Sequence, residues 1–144
     1  MDSTFFELVQ FIGRVMFVFL LIGSGIGHLT QTAAMAGYAE SRGVSNAKLM
    51  VQISGVALIA GGVSILLGIW ADLGSLGIAI LLIITAVMMH PFWKETDPMN
   101  KQMEMVAFNK DIALAGAALL MFTVFRYGMP WTLTDGLFAP SYGF

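Results

Sequence analysis

Hydrophobic residues form four long runs along the chain, at residues 8–29, 49–70, 73–89 and 106–127. An α-helix rises about 1.5 Å per residue, so about 20 apolar residues cross a hydrocarbon core of about 30 Å. The runs lack the alternation of apolar and polar positions that is typical of the strands of membrane barrels. Helices satisfy all their backbone groups in lipid. The pattern therefore predicts an all-α fold, an integral membrane four-helix bundle in which residues 1–144 form a single domain.

The segments between the hydrophobic runs differ in length and composition. The second and third runs are separated by almost nothing, which predicts a tight hairpin. Residues 30–48 mix small, aromatic and charged side chains, which is typical of a short interfacial helix, and Gly43 is expected to end it. Asp97 and Pro98 form a good helix start, so the fourth helix is expected to begin outside the membrane. The residues after Pro130 are expected to form an interfacial cap.

Composition supports a membrane location and excludes several kinds of chemistry. Hydrophobic residues make up 58% of the chain and charged residues 11%, with a mean hydropathy of +0.82. Soluble chains carry about 25% charged residues, so lipid must solvate much of this surface. Seven basic and nine acidic residues argue against a nucleic-acid partner. The chain has no cysteine, which excludes disulfides, cysteine-ligated metals and thiol catalysis.

The basic residues are distributed unevenly between the two sides of the predicted bundle. Four spans place both chain ends on one side and the longer loops, residues 30–48 and 90–105, on the other. The loop side carries five basic residues, and the terminal side carries only Arg14 and Arg126. The protein is expected in the inner membrane of the cell. The positive-inside rule then places the loops in the cytoplasm. Asp2 and Glu7 are unlike the basic start of a signal peptide, so the first helix is expected to remain in the mature protein.

Ionisable residues at membrane depth are costly and mark candidate sites. Arg14 lies about two turns into the first helix, on the side of the membrane where Asp72 begins the third. We expect Arg14 and Asp72 to form a structural ion pair. The alternative is that Arg14 extends towards the lipid headgroups.

A second group of polar residues is expected at the loop side. His28 ends the first helix, His90 ends the third with Trp93 beyond it, and Asp111 opens the fourth, so all belong at one membrane level. His28, His90, Trp93 and Asp111 are candidate residues for binding a quinone, another small molecule or a lipid. His28, His90 and Glu104 are weaker candidates for a divalent metal. They are equally consistent with solvated interfacial side chains, and no catalytic residue is predicted.

Several short segments occur along the chain in a characteristic order and spacing: Gly13-Arg14, Gly23-Ser-Gly-Ile-Gly-His-Leu29, Tyr38, Gly43, Gly61-Gly62, Gly68, His90-Pro-Phe-Trp93 and Phe108-Asn-Lys-Asp-Ile-Ala-Leu-Ala-Gly116. In these segments, and over nearly its whole length, the chain resembles the DoxX family of small bacterial membrane proteins. The chain departs from the family at His28 and Asp111, where lysine and asparagine are common. The charge of a site formed there would differ from that in relatives.

The resemblance implies a four-helix membrane fold and an association with redox chemistry. Relatives include subunits linked to thiosulfate:quinone oxidoreduction and to terminal quinol oxidation. It thus implies a mainly structural, accessory subunit of a quinone-linked membrane complex, with membrane lipids and other membrane subunits as partners and quinone or lipid as the candidate ligand. A small-molecule or lipid carrier and a quinone-dependent oxidoreductase in its own right are the alternatives.

Overall fold

Four long apolar helices dominate the fold. A computed structural model describes residues 3–139, and in this range the chain forms five α-helices, one 3₁₀ helix and no strand. The α-helices are α1 (Ser3–Thr30), α2 (Thr32–Ser41), α3 (Ala47–Leu67), α4 (Ala71–Met89) and α5 (Pro98–Arg126), and the 3₁₀ helix is Phe92–Lys94. Among these, α1, α3, α4 and α5 are long and apolar enough to cross a membrane. The predicted all-α membrane bundle is confirmed, and the chain is a multi-pass membrane protein.

Local signals explain where the helices begin and end. The carboxylate of Asp97 accepts a hydrogen bond of 2.9 Å from the backbone N–H of Asn100, so α5 begins at Pro98, well before the hydrophobic run at residue 106. α3 ends at Leu67, because Gly68 adopts a left-handed conformation with φ +67°. Trp70 also has a positive φ, of +46°, so it lies in the connection rather than in the second span as predicted.

The short helix α2 lies between the first two spans, where the sequence predicts one. It ends at Ser41, and Gly43 follows with a φ of +85°. Its buried residues, Ala36 and Ala39, pack with Ala47 and Val51 of α3. α2 and residues 90–97 therefore lie at one end of the bundle, called here the loop end, and the α3–α4 connection lies at the other, called here the terminal end.

The spans pack in the order α1, α3, α4, α5, each against the next. On α1, the buried face contains Arg14, Val18, Leu21 and Gly25, at the three- and four-residue spacing of one helix face. The core that these helices share also contains Leu58, Ile65, Ile78, Ala79, Ala115, Ala118 and Phe125.

Close contact between α1 and α3 depends on Gly25 and Gly55. A Cβ atom added to Gly25 would lie 2.8 Å from the carbonyl oxygen of Gly55, and one added to Gly55 would lie 2.8 Å from Cβ of His28. By contrast, a Cβ atom at Gly23 or Gly27, the pair with the spacing of a helix-packing motif, would meet no atom within 4 Å. The small residue of α1 that faces α3 is therefore Gly25, which lies between Gly23 and Gly27.

The segment after α5 crosses the terminal end and bonds to the connection between α3 and α4. Leu133 N–H donates to the carbonyl of Leu67 at 3.1 Å, and Thr134 N–H donates to that of Gly68 at 3.1 Å. The Trp70 N–H donates to the hydroxyl of Thr134 at 2.9 Å. Residues 127–139 therefore supply partners for backbone groups that the helix ends leave unsatisfied. We call them the tail segment.

The predicted ion pair between Arg14 and Asp72 is not formed within residues 3–139. Arg14 is only 2% exposed, and its guanidinium donates to the carbonyls of Leu66, Pro130 and Trp131, the Pro130 bond being 2.9 Å. Asp72 is fully buried and accepts from the backbone N–H groups of Leu137 and Phe138, at 3.0 and 2.6 Å. The tail segment supplies polar backbone groups to both side chains and thereby replaces the expected direct contact.

Candidate functional site

A cavity of about 360 Å³ lies between the helices in the loop half of the bundle. Its walls contain His28, His90 and Asp111 from α1, the end of α4 and α5. Three of the four candidate binding residues therefore line one cavity. Trp93 does not line it, because its ring packs edge-on against Phe92 and Phe108, with centroids 5.2 and 5.7 Å away.

Side chains of contrasting polarity line the two ends of this cavity. Polar groups lie towards the loop end, and leucines lie towards the middle of the spans. The polar residues in the walls are Ser24, His28, Gln31, Tyr38, Ser54, Thr85, His90, Lys110 and Asp111, and the leucines are Leu20, Leu21, Leu58, Leu81, Leu82 and Leu114. The cavity is thus amphipathic along the membrane normal, which suits a molecule with a polar group and an apolar body.

His28 is held by Ser54 in a defined tautomer. Its Nδ1 lies 2.8 Å from the Ser54 hydroxyl, whose single proton is donated to the carbonyl of Val51 at 2.9 Å. The hydroxyl can then only accept from His28, so Nδ1 carries the proton. In a neutral ring, Nε2 is consequently a hydrogen-bond acceptor.

His90 lies between two carboxylates of α5. Its Nδ1 is 2.7 Å from Glu104, and its Nε2 is 3.7 Å from Asp111. Glu104 and Asp111 are two helical turns apart, so both present their carboxylates to the same side of α5. Asp111 also lies 3.2 Å from the ammonium group of Lys110. The hydrogen bond to Glu104 fixes one nitrogen of the ring, and the carboxylate of Asp111 lies near the other.

A network of polar side chains connects Glu104 to the surface of the loop end. Arg42 donates to Glu95 at 2.6 Å and to Glu104 at 2.9 Å, and the hydroxyl of Tyr38 donates to Glu104 at 2.6 Å. The bond to Glu95 is the main reason that the pKa of Arg42 is raised, so this guanidinium stays charged. Burial, followed by the hydrogen bond to Glu104, raises the pKa of the Tyr38 phenol.

Sequence reasoning did not identify Arg42, Ser54 or Glu95 as part of this site, and Tyr38 entered it only through the family resemblance. A signal for two of them was present. Tyr38 and Arg42 are four residues apart at the end of α2, a spacing that places both on one helix face. The side chains are indeed in contact, with the Arg42 guanidinium 5.0 Å from the centre of the Tyr38 ring.

The three metal candidates do not form one cluster. His90 and Glu104 are in contact, but His28 is bonded to Ser54. In the described range of the chain, histidines and acidic residues form no group of three or more that could hold a metal ion. The candidate site is therefore a cavity whose walls offer hydrogen-bonding groups.

A comparison with protein families matches residues 9–91 to the family model described as DoxX. The matched range is more than half of the chain, and it includes His28 and His90 but ends before Glu104 and Asp111. Neither the curated proteins nor the solved structures contain a match to this chain.

Proposed function

The chain belongs to the DoxX family, and from that premise we propose that it is an accessory subunit of a quinone-linked redox complex in the bacterial inner membrane. The observation that carries this proposal is the amphipathic cavity, which His28, His90 and Asp111 line at its polar end. In this function the cavity binds the headgroup of a quinone, and a partner subunit supplies the electrons.

The chemistry of the walls suits a quinone headgroup. A quinone presents two carbonyl acceptors, and its reduced form presents two hydroxyl donors. Nε2 of a neutral His28 is an acceptor for a quinol hydroxyl, while Lys110 offers a donor beside Asp111. The leucines supply an apolar surface for the ring face and its methyl groups.

An accessory role accounts for the residues better than the two alternatives. Electron transfer to a quinone requires a donor centre, and a partner subunit provides it in this proposal. A carrier would need a path to the terminal end. Between the cavity and that end, the helices pack around Ile65, Ile78 and Phe125, and the tail segment covers the end of the bundle. This packing favours binding over transport.

The orientation that we propose places the loop end, with residues 30–48 and 90–105, in the cytoplasm. The cysteine-free sequence makes this simple to test with single-cysteine variants. Lys48→Cys and Lys101→Cys are expected to react with a membrane-impermeant maleimide in inverted vesicles and to be protected in intact spheroplasts. The opposite pattern of labelling would reverse the orientation.

The proposed function is tested by asking what co-purifies with the protein. After extraction in a mild detergent, mass spectrometry is expected to find a quinone and a redox protein with the wild type. The His28→Gln and Asp111→Asn variants are expected to retain the protein partner but to lose quinone by about tenfold, equivalent to about 1.4 kcal/mol of binding. Glu40→Gln, an exposed substitution on α2, is the matched control. Recovery of the wild type with neither a quinone nor a redox partner would refute the proposal.

A further inference from the structure

The first and last spans are in contact near the terminal end, and both line the cavity in the loop half. At the terminal end, the guanidinium of Arg14 on α1 lies 5.6 Å from the centre of the Phe125 ring on α5. Within residues 3–139, α1 and α5 do not pack against each other as the neighbouring spans do. The cavity occupies this space, with Leu20, Ser24 and Gly27 of α1 on one side and Lys110 and Leu114 of α5 on the other.

The gap between α1 and α5 extends to membrane depth. Leu20 lines the cavity and is also 40% exposed, so this part of the cavity wall also faces the outside of the bundle. Leu20 lies near the middle of α1, about 12 Å along the helix axis from His28. At that depth the surroundings are hydrocarbon. An opening of the cavity beside Leu20 would therefore face lipid.

An apolar groove also lies along α1. Its walls contain Val15, Val18, Phe19, Ile22, Ile26 and Leu66, and it shares Leu20 and Ser24 with the cavity. Leu20 and Ser24 therefore border both spaces. A single molecule can place a polar group near His28 and a hydrocarbon chain along α1 while both stay in matching surroundings.

We propose that the ligand of the cavity is a lipid-phase quinone with one long hydrocarbon chain, and that it enters sideways between α1 and α5. The chain passes Leu20 and lies in the apolar groove, while the ring stays at the polar end. For the position of the headgroup, this inference rests on the proposed function. It adds the route by which the quinone enters and the position of its hydrocarbon chain. Because the chain moves from lipid into an apolar groove, it adds little affinity of its own, but the opening must stay wide enough to admit it.

The test compares two probes on the protein in lipid nanodiscs: 1,4-benzoquinone derivatives that share a ring and carry either no chain or a ten-carbon chain. The variant Leu20→Trp narrows the opening far from His28. It is expected to weaken binding of the long-chain probe by at least about tenfold and binding of the chainless probe by less than about twofold. Leu119→Trp, which changes an exposed leucine of α5 outside the cavity, is expected to change neither. Equal effects of Leu20→Trp on both probes, or no effect on the long-chain probe, would overturn the inference.

A second measurement examines the opening without any quinone. After irradiation, a phospholipid that carries a diazirine in its acyl chain is expected to label Ser24 nearly as strongly as the exposed Leu119, and far more strongly than Ala79, which lies in the core. If Ser24 is labelled as weakly as Ala79, the lateral opening does not exist. If Ser24 is labelled strongly and neither quinone probe binds the wild type, the opening stands while the proposed function and the quinone ligand both fail.

Discussion

Arg14 and Asp72 bind the same tail segment. Arg14 donates hydrogen bonds to backbone carbonyl oxygens of the segment, and Asp72 accepts hydrogen bonds from backbone N–H groups of the segment. The Arg14 bonds are to Pro130 and Trp131, and the Asp72 bonds are to Leu137 and Phe138. Two buried residues of opposite charge thus satisfy backbone groups that lie outside any helix. Because each charge makes several charge-assisted hydrogen bonds, the tail segment is an integral part of the terminal end.

Removal of the Arg14 side chain is expected to destabilise the bundle strongly. In Arg14→Gln, the carbonyls of Leu66, Pro130 and Trp131 lose their shared donor in a buried setting, at a cost of about 3 kcal/mol in the free energy of unfolding. The measurement is SDS-induced unfolding followed by tryptophan fluorescence. Arg126→Gln alters an exposed arginine and is the control. Equal stability of the two variants would contradict the role assigned to Arg14.

Neutralising Asp72 is expected to release the tail segment while the spans remain folded. The amide of Asp72→Asn retains a single acceptor oxygen, whereas the carboxylate accepts from Leu73, Leu137 and Phe138. Limited proteolysis with mass spectrometry is expected to detect faster cleavage within residues 130–139 than in the wild type. The exposed Asp135→Asn should leave the cleavage rate unchanged. If Asp72→Asn is as resistant as the wild type, these bonds do not hold the segment.

Substitution by alanine is expected to change the stability of the bundle in opposite directions at Gly25 and Gly23, two neighbouring glycines of α1. Gly25→Ala places a Cβ atom 2.8 Å from the Gly55 carbonyl oxygen and 2.6 Å from the side chain of Ile59, so α1 and α3 must move apart. Overpacking of this kind costs about 1–3 kcal/mol. Gly23→Ala meets no atom within 4 Å and should be neutral or slightly stabilising, because alanine favours the helix. SDS unfolding of the pair measures the difference, and a Gly25→Ala protein as stable as Gly23→Ala would show that this contact is not close.

The phenol of Tyr38 is expected to keep its proton above pH 10. Burial and the bond to Glu104 raise its pKa, so the neutral phenol is favoured in the folded state. The resulting stabilisation is present below the ordinary tyrosine pKa of about 10 and is lost as the pH rises through the raised value. The absorbance at 295 nm of the wild type minus that of Tyr38→Phe isolates this titration. Glu104→Gln should lower the midpoint, and Glu40→Gln should not. A midpoint that is unchanged in Glu104→Gln would rule out the effect of this bond.

Much of the fold could be predicted from the sequence because its causes are local. The four spans follow from apolar runs, the start of α5 from Asp97 and Pro98, and the buried face of α1 from helical spacing. The spacing of Glu104 and Asp111 likewise places both carboxylates on one side of α5. These features depend on neighbours in sequence, which a single chain displays directly.

The partners of Arg14 and the position of Trp93 could not be predicted in the same way. Backbone carbonyls of an irregular segment have no sequence signature, so a nearby carboxylate was the natural expectation for Arg14. An aromatic ring beside His90 suits a binding site equally well, yet Phe92 and Phe108 hold Trp93 outside the cavity. Both outcomes depend on contacts between segments far apart in the chain.

The short connection between α3 and α4 has a consequence for how the chain enters a bilayer. Residues 68–70 separate the two helices, and three extended residues reach only about 10 Å. A connection this short holds the ends of α3 and α4 together at one side of the membrane. It therefore favours the insertion of α3 and α4 together, as one helical hairpin.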